Sequence, residues 1–145
     1  DPVLAAVLAD KGWAATDRGV DLHVDDDTEP GPWAPDDLLT ILGNLLDNAL
    51  DAVAAVPAGQ RCIAVALADD AAGRTIEVRD TGPGIPSSAR AEVFTRGWST
   101  KRSEPGRPRG IGLALVARVV TRLGGTVDVI DATPGTCMRV HLPRP

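Results

Sequence analysis

At 145 residues and 43% apolar content the chain has the size and composition of one globular domain, able to bury roughly 70% of the surface its unfolded form exposes. Its net charge of −5 argues against a general affinity for nucleic acid or for an anionic membrane surface, either of which needs a basic excess. No apolar run reaches the roughly 18 residues of a membrane span, and the opening "DPVLAAVLAD" has no basic leader region. Beginning at Asp1 rather than Met, the chain reads as a piece of something longer. Cys62 and Cys137 sit in apolar, strand-like runs without CxxC or Cys/His ligand spacing, so both are expected as buried core thiols in a reducing compartment.

In chain order, Val3, Leu4, Val7, Leu8 and Trp13 mark a helix over 3–17 that Gly19 stops. "VDLHV" (20–24) alternates as a strand, and "DDDTEPGPWAP" is a loop. Pro35 with Asp36 and Asp37 starts a helix, placing a proline in the first turn and acids at the positive end of the dipole. It runs to Val56, where Pro57 and Gly59 end it. "CIAVALA" and "RTIEVRD" are two strands around the turn "DDAAG", and after Asp80 the chain breaks into "TGPGIP". A short helix is expected from Ser87 to Phe94, then the Gly/Pro/charge-rich "RGWSTKRSEPGRPRG", a helix from Ile111 to Leu123, and a closing hairpin of "GGTVDVID" and "TCMRVHL" around Pro134-Gly135. This order predicts an α+β fold, with helices on one face of a mostly antiparallel mixed sheet of about five strands.

The second helix carries the first chemical signal. Leu42, Leu45, Leu46, Ala49 and Val53 form its apolar stripe. At about 100° per residue, Asn44, Asn48 and Asp51 fall on a narrow opposite arc. Asn and Asp are poor helix formers, whereas a merely solvated face usually carries Glu, Lys, Gln or Arg. A second signal is "DTGPGIP" (80–86), a strand ending in a carboxylate followed by Gly82 and Gly84. The third is "RGIGLAL" (109–115), where Gly110 and Gly112 open an apolar helix behind Lys101, Arg102, Arg107 and Arg109, with Glu104 the one acid between them. Neither glycine cluster completes a P-loop or a dinucleotide fingerprint. Exposed N–H groups at a glycine-opened helix start nonetheless suit phosphate.

Together these motifs resemble, over residues 35–143, the nucleotide-binding superfamily shared by sensor histidine kinases, gyrase-type topoisomerases, heat-shock chaperone ATPases and mismatch-repair ATPases (the GHKL superfamily). "NLLDNALDA" is similar to its N box, "DTGPGI" to its first glycine box, "VFTRGWSTK" (93–101) to its F box, "RGIGLALV" to its second glycine box and "GTCMRVHLP" to its closing strand. Within the superfamily the catalytic, ATP-binding domain of citrate/dicarboxylate-sensing histidine kinases is most similar. The resemblance implies the Bergerat fold of the histidine kinase-like ATPases, a two-layer α/β sandwich. Residues 1–18 are expected as a leading helix or the tail of a preceding helical dimerisation domain, and 19–145 as the ATP-binding catalytic domain. The nucleotide would lie between the N-box helix and a lid over 95–109.

By the same resemblance, Asn48 offers its amide oxygen to a Mg²⁺ bridging the ATP phosphates, a cation that prefers oxygen. Asn44 faces that ion or its waters, and Lys101 joins the two asparagines as the catalytic set. Asp80 accepts a hydrogen bond from the adenine amino group, whereas guanine would set a carbonyl against the carboxylate. The implied ATP-binding set also includes Asp51, Gly82, Gly84, Ile85, Phe94, Ser99, Thr100, Arg109, Gly110, Ile111, Gly112, Leu113 and Thr136. Catalysis is then largely positioning and neutralisation of the γ-phosphoryl group. The implied partners are ATP, a helical dimerisation and phosphoacceptor domain of the same protein, and a response regulator, with no nucleic acid and no direct membrane contact. The implied location is cytoplasmic, within a membrane-anchored sensor.

This chain departs from the family pattern at Pro108, which removes one N–H from the second glycine box, and at Met138, where an aromatic residue is common. Asn44 stands where the chaperone and gyrase branches carry a water-activating glutamate, and an amide cannot act as that base. His23 and His141 lie on strands, unlike the family's helical phosphoacceptor. Two other readings stay open: a free-standing anti-sigma-factor type serine kinase, opposed by the Ser99-Thr100-Lys101 lid and the leading helix, and a degenerate nucleotide-binding interaction module, supported by Pro108 alone.

Overall fold

The computed structural model describes residues 1–95 and 111–145. Helix α1 (Pro2–Asp17) starts at Asp1, whose carboxylate accepts from the Val3 N–H at 2.8 Å and so satisfies one of the first turn's orphan donors. Strand β1 (Asp21–Asp27) leads to α2 (Pro35–Val53), which opens on Pro35, Asp36 and Asp37. Strands β2 (Cys62–Asp70) and β3 (Gly73–Asp80) form a hairpin, α3 (Ile111–Arg122) follows, and β4 (Thr126–Asp131) and β5 (Thr136–Pro143) close the fold. The sheet order is β1-β2-β3-β5-β4. Among the described residues only β1 and β2 pair in parallel. This is the expected α+β arrangement, with the helical layer on one face of a mixed sheet.

The strand register builds the core in rows. Val65, Val78, Met138 and Val129 are successive cross-strand partners, and Leu67, Ile76, Val140 and Val127 form the next row. Against them α2 buries Leu38, Ile41, Leu42, Leu45, Leu46, Ala49, Leu50 and Val53, while α1 adds Leu4, Val7, Leu8 and Ala15 to the same core. Each large aliphatic side chain removed from water contributes about 1.5–3 kcal/mol. Because the period of a strand is two, β3 places Arg74, Ile76, Val78 and Asp80 on this buried face. Its two ends therefore carry buried charges of opposite sign.

Arg74, at one end, is saturated. Its Nε and Nη2 bond both carboxylate oxygens of Asp69 at 2.7 and 2.9 Å, Nη1 bonds Asp1 at 2.9 Å, and the guanidinium stacks 4.6 Å from the Trp33 ring centroid. Such bidentate pairing is what makes a fully buried cation tolerable. The hydrogen bonds from Arg74 hold the Asp69 carboxyl below its ordinary range.

Several sequence expectations are corrected. Trp13, read as part of the apolar side of α1, is 77% exposed. The first strand does not stop at Val24 but continues through Asp25–Asp27, and Val24, an apolar position of that alternation, is 45% exposed. An edge strand paired only with β2 tolerates these carboxylates because its outer side meets water. The helix expected over Ser87–Phe94 is a single 3-10 turn, Ser87–Ala89, and the helix from Pro35 ends at Val53 rather than Val56.

Of the cysteines, only Cys62 departs from expectation, being half-buried; Cys137 is a free, buried thiol as expected, on the face of the sheet turned away from the helices, where it donates to Glu77 Oε1 at 3.3 Å. Burial, then the adjacent carboxylate, pushes the Cys137 thiol up to about 11. Burial opposes ionisation of Glu77, but hydrogen bonds from Cys137 and Arg139 outweigh it and hold its carboxyl below the usual range.

Candidate functional site

The other buried charge of β3 lies at the opposite end of the sheet. Asp80 is 3% exposed, and its cross-strand partner in β5 is Thr136, itself 4% exposed. Ile63 is its partner on the β2 side. One Asp80 oxygen accepts from the Gly82 N–H at 2.8 Å, so the turn that ends the strand also orients the carboxylate. Two of the expected site residues, Asp80 and Thr136, far apart in sequence, are thus brought side by side.

The loop after Asp80 is fixed on both sides. Thr81 donates its hydroxyl to the Gln60 carbonyl at 2.7 Å and accepts from the Cys62 N–H at 2.9 Å. Gly82 packs on α2: a methyl group there would lie 2.8 Å from the Ala52 carbonyl oxygen. Gly135, at the tip of the last hairpin with φ +91°, rests against the Asp80 carbonyl, and a side chain there would collide with it. Gly84, in turn, lies beside the Gly135 carbonyl. The hairpin tip therefore buttresses the carboxylate strand. Sequence reading placed a turn at Pro134-Gly135 but gave neither Gly135 nor Thr81 a role. A Pro-Gly hairpin immediately before Thr136 was the available signal.

The arc of α2 expected to be functional is flanked rather than solvated. α1 lies on one side, tied by Lys11 to Asp47 at 2.6 Å and by Arg18 to Asp51 at 3.8 Å. α3 lies on the other, where Gly112 abuts the Asn44 side-chain oxygen. Asn44, Asn48 and Asp51 are all half-buried. Asn44 donates to the Thr40 carbonyl at 2.7 Å, which turns its oxygen toward α3. The amide of Asn48 forms no hydrogen bond within the described residues. A half-buried amide oxygen of this kind is a suitable ligand for a hard cation.

The remaining described members lie on the core side of the fold or at the start of α3. Ile85 and Phe94 pack against the core, Val93 is fully buried between them in sequence, and Leu113 is buried near the start of α3, which Ile111 opens. Ser99, Thr100, Lys101, Arg109 and Gly110, with Pro108 and the lid apart from Thr95, lie outside the described residues. Of the two histidines, His23 is exposed and His141 half-buried, and both are on strands, on the side of the sheet away from the core.

Comparison with known proteins places this geometry. Residues 34–145 match the family described as histidine kinase-, DNA gyrase B-, and HSP90-like ATPase. The chain is 42% identical over 105 residues to the sensor histidine kinase DpiB of Escherichia coli (strain K12), covering 72% of this chain and 19% of that protein. It is 36% identical to the sensor protein CitS of Halalkalibacterium halodurans, covering 99% of this chain and 27% of that protein. Among solved structures, the mycobacterial sensor histidine kinase MprB superposes with a TM-score of 0.80 at 30% identity, covering 99% of this chain and 95% of that one. The chain thus spans about a quarter or less of the length of these full-length relatives.

Proposed function

We propose, from the premise that the chain belongs to the family of histidine kinase-, DNA gyrase B- and HSP90-like ATPases, that it binds Mg²⁺-ATP and hands the γ-phosphoryl group to a histidine of a helical dimerisation domain. That transfer would be the first step of two-component signalling to a response regulator, carried out on the cytoplasmic side of a membrane-anchored sensor. Among the described residues no helix is long and apolar enough to cross a membrane, so the anchor would belong to another part of the polypeptide. The observation that carries the reading is Asp80, a buried carboxylate with one oxygen already oriented by Gly82 and a threonine in register beside it.

When bound, ATP supplies the phosphoryl group and Mg²⁺ the charge that neutralises its oxygens. The chain's own residues bind and orient. Asp80 accepts from the adenine amino group, and its fixed rotamer means that no ordering of the carboxylate is needed on binding. Thr136 supplies a hydroxyl in the same row. Asn48 presents an amide oxygen to the metal, whereas Asn44, lacking a basic group, leaves water unactivated and so reserves the phosphoryl group for the protein acceptor. Ile85, Phe94 and Leu113 exclude water from the base. Ser99, Thr100, Lys101, Arg109 and Gly110 are proposed on the phosphates. Calorimetric titration with Mg²⁺-ATP and Mg²⁺-GTP tests the assignment: ATP is expected to bind at least tenfold tighter, and equal affinities would remove Asp80 from base recognition.

A further inference from the structure

β2 and β3 pair in register as far as Ile63 and Asp80, and one residue further on Thr81 donates its N–H to the Cys62 carbonyl at 3.1 Å. A continuing antiparallel ladder would return that bond through the Thr81 carbonyl. Here the Cys62 N–H donates to the Thr81 hydroxyl oxygen at 2.9 Å instead, and the hydroxyl donates in turn to the Gln60 carbonyl at 2.7 Å. The side chain closes the last rung, and the main chain is released to turn at Gly82, whose N–H holds one oxygen of Asp80.

The segment that Thr81 grips is itself pinned. Arg61, between Gln60 and Cys62, donates Nε to the Val56 carbonyl at 2.9 Å, Nη2 to the Ala54 carbonyl at 3.3 Å and Nη1 to the Arg18 carbonyl at 2.9 Å. One guanidinium thus satisfies carbonyls at the ends of both α1 and α2, where the helix dipole favours a cation. Gly82 is the second tie to α2, packed on the Ala52 carbonyl. The end of the carboxylate strand is therefore held to the helix that bears Asn48.

We infer that Thr81 is a positioning residue for base recognition, an inference that rests on the nucleotide reading above. Its hydroxyl, held by Gln60 and Cys62 against the Arg61-capped end of α2, fixes the turn at Gly82 and through it the orientation of the Asp80 carboxylate, so that base and metal ligands share one frame. Valine at position 81 keeps the branched shape and removes both hydroxyl bonds. The hydroxyl bond to the Gln60 carbonyl is solvent-exposed, so water can replace it there and the fold loses little, whereas the turn loses its anchor.

Calorimetric titration with Mg²⁺-ATP and Mg²⁺-GTP, beside thermal melting, tests this in the wild type, Thr81→Val and Thr81→Ser. Thr81→Val is expected to cut the GTP-to-ATP ratio of Kd values by about threefold or more, with Tm within a few degrees of wild type, and Thr81→Ser, which keeps the hydroxyl, to restore the ratio. In an Asp80→Asn background Thr81→Val should weaken ATP binding no further, because the carboxylate it serves is gone. A smaller change of the ratio in Thr81→Val, whatever its Tm, a serine variant that falls as far as valine, or an equal effect of valine in both backgrounds overturns the positioning role and leaves the nucleotide reading standing. Equal affinities of the wild type for the two nucleotides remove Asp80 from base recognition, and the role of Thr81 with it.

Discussion

Replacing Asp80 by Asn is nearly isosteric and asks one question, whether an acceptor is needed on both sides of that group. One carboxylate oxygen accepts from the Gly82 N–H at 2.8 Å, and the residue is 3% exposed, so solvent cannot repair a mismatch. An amide can keep its oxygen on Gly82 and point its NH₂ at the adenine amino group, or turn over and oppose the Gly82 N–H with a donor. Either choice leaves a buried donor unmatched, at about 1–3 kcal/mol, and removes a charge-assisted bond of about 1.5–3 kcal/mol in favour of a neutral one of about 1. A net loss of about 2–4 kcal/mol corresponds to roughly 30- to 1,000-fold in Kd. Calorimetry with Mg²⁺-ATP reads it, and circular dichroism melting should place the variant within a few degrees of wild type. A loss below threefold with an intact melt would refute the reasoning, because Asp80 would then be no acceptor for the base.

Asn48→Ala should reduce the gain in ATP affinity that Mg²⁺ brings over EDTA to near nothing, with the melting temperature held or raised because alanine is the better helix former; an unchanged Mg²⁺ effect would make Asn48 a bystander. Arg74→Met leaves the buried carboxylates of Asp69 and Asp1 without their cation. It should cost about 3–5 kcal/mol out of the 5–15 typical of a domain, read as a drop of about 10–15 °C in Tm; a drop of only a degree or two would mean that the cluster does not hold the fold. Since the folded pKa of Asp69 is depressed below 3.8, its contribution is present above that pH and lost as pH falls through the folded value. Urea titrations should therefore show an acid limb below about pH 4 that Asp69→Asn flattens, and an unaltered limb would assign acid lability elsewhere.

What could be read from the sequence follows the strength of the local pattern. The stripe of α2 and the alternation of β2, β3 and β5 repeat often enough to fix the type of each element, and with them the position of Asp80 at a strand end, whereas its burial appears only in the structure. Shorter or one-sided patterns failed. The Ser87–Phe94 segment is too short to offset the nucleation cost of a helix without a packed face. The aspartates of β1 looked like a loop because charge is penalised in a strand interior but not on an edge. Trp13 misled because only packing against α2 decides which side of α1 is buried. Arg74 was hidden for a related reason: a charged residue at a core position becomes legible only when Asp69, Asp1 and Trp33 are seen around it. Pairing across the sheet, which sets Thr136 beside Asp80 and Gly135 beneath it, is a nonlocal fact that no window of sequence contains.

The central claim is phosphoryl transfer to a histidine outside this chain. The direct measurement incubates the chain with γ-labelled ATP and Mg²⁺, alone and with the full-length sensor carrying a disabled ATP site, and follows acid-labile label and free phosphate. Label is expected only on a helical histidine of the added protein, with slow phosphate release by the chain alone, in keeping with Asn44 in place of a general base. Stable label on His23 or His141, or rapid phosphate release by the isolated chain, would contradict the account.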